Sequence, residues 1–238
     1  DYWNKKISKL TYSKENFPEN SSTDFSTVSA SELSYFYKLT AENTIVEFTV
    51  LIALYNMLLQ RYFEESNFVS SNMFLNAEKA VSFYVFQAIA QKTVKEFIQE
   101  AKEEVQDVYK HTNYYEEHSI AMTSNVNAIP FQFNYGAEKE QQVLCCGWSF
   151  QIEKLENKDF RMALHHSDKF VESALAGHFL ANFKNLLAGL EGNITTSISK
   201  LPLVLNEEKE LLLHTFNATK TNYDTTLSLA EIVEKQVQ

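Results

Sequence analysis

One stretch limits the possible folds more than any other: "TIVEFTVLIALYNMLLQRYF", residues 44–63. Read at 3.6 residues per turn, it is apolar almost all the way round. A helix of that kind must be buried on most of its sides. The chain therefore needs other layers to cover it. The run is too short to cross a bilayer comfortably and carries Glu47 and Asn56, so it reads as a core helix. The 238 residues are 45% hydrophobic, with 18 Phe and 12 Tyr. That is enough bulky material for one large or two small domains.

The rest of the pattern mixes strands and helices. Residues 1–10 read as a short amphipathic helix with Trp3, Ile7 and Leu10 on one face. Residues 11–26 are polar and read as loop, 25–31 as a strand, and 29–42 as a helix with Ser31 as its cap. Residues 67–76 alternate, and 81–90 are rich in β-formers, so both read as strands. Thr93 and Glu96 have capping-box spacing and open a helix to about Lys110, with Val94, Phe97, Ala101, Val105, Val108 and Tyr109 inward. Residues 128–136 and 142–153 read as strands joined by a polar turn at 137–141. With 159–167 they form an antiparallel meander. A helix from Phe170 to about Gly192 carries Ala174, His178, Phe179 and Phe183 on its apolar face. Leu201–Leu205 is apolar, and Asn206 caps a last helix with Glu207, Glu208 and Glu210 in its first turn. Strands and helices alternate irregularly, which argues α/β or α+β, with the meander as the antiparallel part of a sheet packed with helices.

Charge and cysteine usage remove several function classes. A net charge of −10 repels a phosphate backbone, so no nucleic-acid partner is expected. Cys145 and Cys146 are neighbours, a poor geometry for a disulfide, and fit a reduced, cytoplasmic chain. No signal peptide or membrane span is read. The chain starts without Met and stops inside the helical pattern "AEIVEKQVQ", and is expected to be a piece of something longer.

"MALHHSDKF", residues 162–170, is where chemistry is first suggested. On a strand, His165 and His166 point to opposite faces and cannot share one metal ion. Phe160, Met162, Leu164 and His166 fall on one face; Arg161, Ala163 and His165 fall on the other. No nucleophile elbow and no glycine-rich phosphate loop occurs. The pairs Glu103-Glu104 and Glu116-Glu117 read as solvated. The sequence offers no complete active site, no metal site and no cofactor site.

Residues 198–238 resemble the junction between a condensation domain and an adenylation domain of a nonribosomal peptide synthetase. The resemblance rests on Leu201-Pro202-Leu203, Glu208, Leu211, Phe216-Asn217-x-Thr219, Tyr223, Leu227, Glu231 and Gln236-Val237. Upstream, "TIVEFTVLIALYNMLLQRYF", "NAIPFQFNYG" with Pro130, Phe131 and Phe133, and residues 162–187 resemble the second half of a condensation domain. His165-His166-Ser167-Asp168 then stands at a strand end where the family has Tyr-Asn-Thr-Asp. The resemblance implies a chloramphenicol-acetyltransferase-like lobe over 1–200, a linker over 201–223 and the start of an adenylation domain over 224–238. The family's His-His-x-x-x-Asp-Gly motif lies in its first lobe and does not occur in this sequence. The family's Gly, Asn and Arg are missing from "AVSFYVFQAIAQK", and "MTSNVNAIPF" has no Arg, with Asn127 in the place of the Asn.

A chain with this resemblance is expected to be a partial, inactive condensation domain that serves as a platform for the adenylation domain. Leu201, Pro202, Leu203, Phe216, Asn217, Thr219 and Tyr223 would pack the linker, and Asn127, Pro130, Phe131 and Phe133 would hold the family's structural motif. The alternative is the acceptor lobe of an active condensation domain. Its partners would be a His-bearing first lobe and carrier proteins, with phosphopantetheine borne by the carriers and no cofactor on this chain.

Overall fold

In the computed structural model, Tyr2, Lys6 and residues 21–63, 68–71, 82–87, 91–111, 131–136, 147–167 and 173–201 are described. Strand β1 (Ser21–Val28) is followed by helices α1 (Ser34–Thr40) and α2 (Thr44–Tyr62). Next come β2 (Phe68–Ser71), β3 (Ser82–Val85), α3 (Val94–His111), β4 (Phe131–Tyr135), β5 (Trp148–Lys154) and β6 (Phe160–Ser167). Helix α4 (Ser173–Ala188), a short α5 (Leu190–Asn193) and a 3₁₀ turn (Ile198–Lys200) complete it. The six strands form one sheet in the order β1-β6-β5-β4-β2-β3.

Helix α2 lies where its sequence requires. Every residue from Glu47 to Leu59 is buried. The Asn43 side chain caps it, accepting from the N–H groups of Ile45 at 3.0 Å and Val46 at 3.2 Å. Its rings meet β4, β5 and α4: Tyr55 stacks on Phe133 and Phe150 at 5.3 and 5.4 Å and meets Phe179 edge-on at 5.8 Å. Phe150 also meets Phe183 edge-on at 4.7 Å. Edge-to-face contacts of this kind add to the gain from area burial. Helix α3 packs against α2 and β3. Its capping box forms as spaced: the Thr93 N–H and hydroxyl both donate to Glu96 at 2.8 Å.

Strand direction differs from the expected meander. β6 is antiparallel to both β1 and β5, and β2 to β3, but β4 runs parallel to β5 and to β2. Phe131 lies beside Trp148 and Tyr135 beside Ile152. A tight hairpin cannot join parallel strands; a crossover of about a dozen residues is needed. Residues 136–147, which separate β4 from β5, are long enough for one. Gly136 leaves β4 at φ +127°, a conformation open to glycine alone, and its N–H bonds Ile152 O at 3.0 Å.

Four local expectations are also corrected. β1 begins at Ser21, inside the stretch read as loop, and ends at Val28. Ser31 does not cap α1: its N-cap is Leu33, with no side-chain cap bond, while the Ser29 N–H and hydroxyl bind Glu32 at 2.9 and 2.7 Å in the turn before it. Those bonds hold the Glu32 carboxyl below the usual carboxylate range. Ala174 and His178 are exposed, because α4 turns Ala176, Phe179, Leu180 and Phe183 inward instead. Tyr109 is exposed near the end of α3. The expectations for residues 11–20, Cys145, Cys146 and 202–238 lie outside the described residues.

Candidate functional site

β6 divides its histidines as strand alternation requires. Phe160, Met162, Leu164 and His166 face the helices and are buried. His166 lies beside Trp148, ring centroids 6.2 Å apart, with its Nε2 3.0 Å from Asp24 Oδ2 on β1. A histidine held by a carboxylate is the arrangement that orients a general base. Here the His166 side chain has no exposed surface, so an external substrate has no route to the ring. His165 faces the other way, its Nδ1 2.8 Å from Thr23 Oγ1.

That other face carries a row of polar residues drawn from five strands. Thr23 lies opposite His165, His165 opposite Ser149, Ser149 opposite Gln132, and Gln132 opposite Ser70. Ser149 Oγ is 3.3 Å from Gln132 Oε1, and Ser70 Oγ donates to Phe131 O at 3.1 Å. Ser70, Gln132 and Ser149 are buried, whereas Thr23 is exposed. The next row holds Phe25, Ala163, Gln151 and Asn134. The sheet thus has one apolar side, under α2 and α4, and one hydrogen-bonding side. Of these residues, the sequence pattern had placed His165 and Ala163 together on one face of their strand. The available signal was the alternation in "FQFNY".

A second polar cluster ties α2 to the strand ends. Glu47, in the first turn of α2, is buried and accepts from Tyr135 Oη at 2.6 Å and Lys154 Nζ at 2.8 Å. Lys154 Nζ lies 4.7 Å from the centre of the Tyr37 ring. Burial first, then the bond to the Glu47 carboxylate, pushes the Tyr135 phenol well above the ordinary tyrosine range.

Glu104, expected to be solvated, is half-buried instead. It accepts from Lys6 Nζ at 2.6 Å and from the Val85 N–H at 2.6 Å. It borders a groove of about 280 Å³ shared with Phe86, Glu100, Glu103 and Asp107. Among the described residues, no group of three or more His, Cys, Asp or Glu could hold a metal ion. No helix there is long and apolar enough to cross a membrane.

Of the residues singled out by the family resemblance, Phe131 and Phe133 lie on the helix-facing side of β4, and Leu201 is 5% exposed after the 3₁₀ turn. Pro202, Leu203, Phe216, Asn217, Thr219, Tyr223, Asn127 and Pro130 lie outside the described residues.

Comparison with solved structures shows which folds the chain resembles. The chain superposes on the X-domain from teicoplanin biosynthesis with a TM-score of 0.64 at 12% identity, covering 84% of this chain and 56% of that one. On the starter condensation domain of rhizomide synthetase the TM-score is 0.62 at 10% identity, covering 84% and 53%. The fold is therefore like that of about half of a condensation domain. A four-domain nonribosomal peptide synthetase bound to AMP and glycine matches the lobe at a TM-score of 0.71, with 12% identity over 96% of this chain and 21% of that one.

Sequence relatives of the lobe are peptide synthetases. Tyrocidine synthase 3 of Brevibacillus parabrevis is 22% identical over 224 residues, and gramicidin S synthase 2 of Aneurinibacillus migulanus is 24% identical over 245. These matches cover 80% and 85% of this chain but only 4% and 5% of the relatives. No family model matches the sequence.

Proposed function

We propose that this chain is the second lobe of a condensation domain that forms no amide bond by itself and serves as a packing platform for a following adenylation domain. The observation carrying this reading is the state of the one His-His pair. His166 is enclosed and held by Asp24, whereas a base for an acceptor amine must come within hydrogen-bond reach of its proton. The sequence contains no His-His-x-x-x-Asp-Gly. A neighbouring structure, the teicoplanin X-domain in complex with OxyB, supports this fold's use as a protein-binding surface. The process would be antibiotic-type peptide synthesis in the cytoplasm, by analogy with the named synthases.

Two experiments test the reading. Mass spectrometry of aminoacyl-loaded carrier proteins mixed with the chain is expected to show no dipeptidyl product. A product that disappears with His166→Ala overturns the inactive reading. For the platform, limited trypsin digestion is followed at Lys200, Lys209 and Lys220. Packing of the linker on the lobe makes Lys209 slow to cut, and Leu203→Asp makes it fast. Equal cutting of Lys209 and Lys220 in the unaltered chain removes the physical basis of a platform.

A second reading is the acceptor lobe of an active condensation domain, coupling thioesters held on the phosphopantetheine arms of carrier proteins. It is favoured by the likeness covering about half of a complete starter condensation domain. Supplying a first lobe that bears the His-His motif separates the two. Restored peptide formation selects this reading, and continued silence selects the platform.

A further inference from the structure

Strand β1 closes one end of the sheet, and the direction of its backbone groups is set by a hydrogen bond two strands away. The Ser167 N–H donates to Gly147 O at 3.0 Å, across the β6–β5 ladder. Antiparallel partners alternate between pairs that exchange hydrogen bonds and pairs that do not. Odd-numbered residues of β6 therefore bond toward β5, and even-numbered ones toward β1. Their β1 partners are Ser22, Asp24, Ser26 and Val28. Thr23, Phe25 and Thr27 consequently turn their N–H and C=O groups to the outer edge, where no described strand pairs with them. Lys184 Nζ donates to the Thr27 carbonyl at 3.0 Å, as that direction requires. The same three residues carry exposed side chains, Phe25 at 69%. An edge with open backbone groups and an exposed aromatic is a template for another strand.

We propose that a second copy of the chain adds its own β1 to this edge, antiparallel, with Phe25 opposite the partner's Phe25. The sequence is complementary to itself in that register. Thr23 faces the partner's Thr27, and Asp24 faces the partner's Ser26. Outward-pointing residues meet outward-pointing residues, so each such pair exchanges two hydrogen bonds. An aromatic pair and two Thr–Thr pairs are favourable cross-strand neighbours. Sliding the register one way sets Asp24 opposite the partner's Asp24, which like charges oppose. Sliding it the other way sets Ser26 against the partner's Ser26 and loses the aromatic pair. The contact is isologous and closes as a dimer. Lys184 limits it, because its ammonium must leave the Thr27 carbonyl before the strands can pair.

Sedimentation equilibrium of the chain over a dilution series, with residue-resolved hydrogen exchange, tests the proposal. The expected result is a reversible dimer in which the Phe25 amide becomes slow to exchange at high concentration, while the Asp24 amide, already bonded to β6, does not change. Phe25→Lys is expected to weaken the dimer about tenfold or more without changing the melting temperature of the dilute monomer. Lys184→Ala is expected to strengthen it. A monomer at every concentration, a dimer indifferent to Phe25→Lys, or a dimer that leaves the Phe25 amide unprotected each overturns the proposal.

Discussion

Glu47 shows how one buried charge is tolerated at the residue scale. A carboxylate taken out of water needs partners, and Tyr135 and Lys154 supply them. Tyr135→Phe removes a hydrogen bond to a charged group and is expected to lower stability by about 1.5–3 kcal/mol at neutral pH, measured by urea unfolding. The same change should flatten the alkaline limb of the stability curve. In the folded chain the Tyr135 phenol is raised above its unfolded value, so the folded state keeps a proton that the unfolded state releases. Its contribution is complete below about pH 10 and is lost as pH rises beyond that. At the start of α3 the sign reverses. Glu96 is held below the carboxylate range by the Thr93 backbone N–H, then by its hydroxyl. That contribution is present at neutral pH and is lost as pH falls through the folded value, and Thr93→Ala should cost about 1 kcal/mol. The Thr93–Glu96 box was legible because its parts are three residues apart. The Glu47 cluster was not, because Tyr135 and Lys154 come from distant strands.

Elements were legible to the extent that their signals are local. Helix α2 is dictated by its apolar circumference, and the two faces of β6 by alternation. The parallel pairing of β4 with β5 left no such mark, since hydrophobic alternation does not encode strand direction. The first half of β1, Ser21-Ser22-Thr23-Asp24, reads as turn-forming, yet β6 draws it into the sheet, a case of tertiary context overriding propensity. The polar row of Thr23, His165, Ser149, Gln132 and Ser70 was equally hidden, each member being an ordinary polar residue on its own strand. Two measurements bear on this scale. Phe150→Ala empties space between Tyr55, Phe133, Phe179 and Phe183 and should cost about 3–5 kcal/mol in urea unfolding. In dilute solution, native-state hydrogen exchange along β1 should alternate, with Asp24, Ser26 and Val28 slow and Thr23, Phe25 and Thr27 fast. Uniform protection there would contradict the ladder as described.

For the molecule as a whole, the pairing of β1 with β6, the first and last of the described strands, sets an order of events. Ser21 meets Ser167 and Val28 meets Phe160, so the residues that join β1 to the sheet are about 140 apart along the chain. Closing so long a loop carries an entropic penalty that only the finished contacts offset. On a ribosome adding about 5–20 residues per second, β1 waits on the order of ten seconds for β6 to appear. Throughout that interval both of its edges are open and Phe25 is in water. A circular permutant opened between β1 and α1 would place β1 after β6, with residues 168–238 and 1–20 between them, so that β1 would emerge to a partner already made. It should refold faster and aggregate less at equal stability, because the native contacts are unchanged and only the order in which they become available has moved.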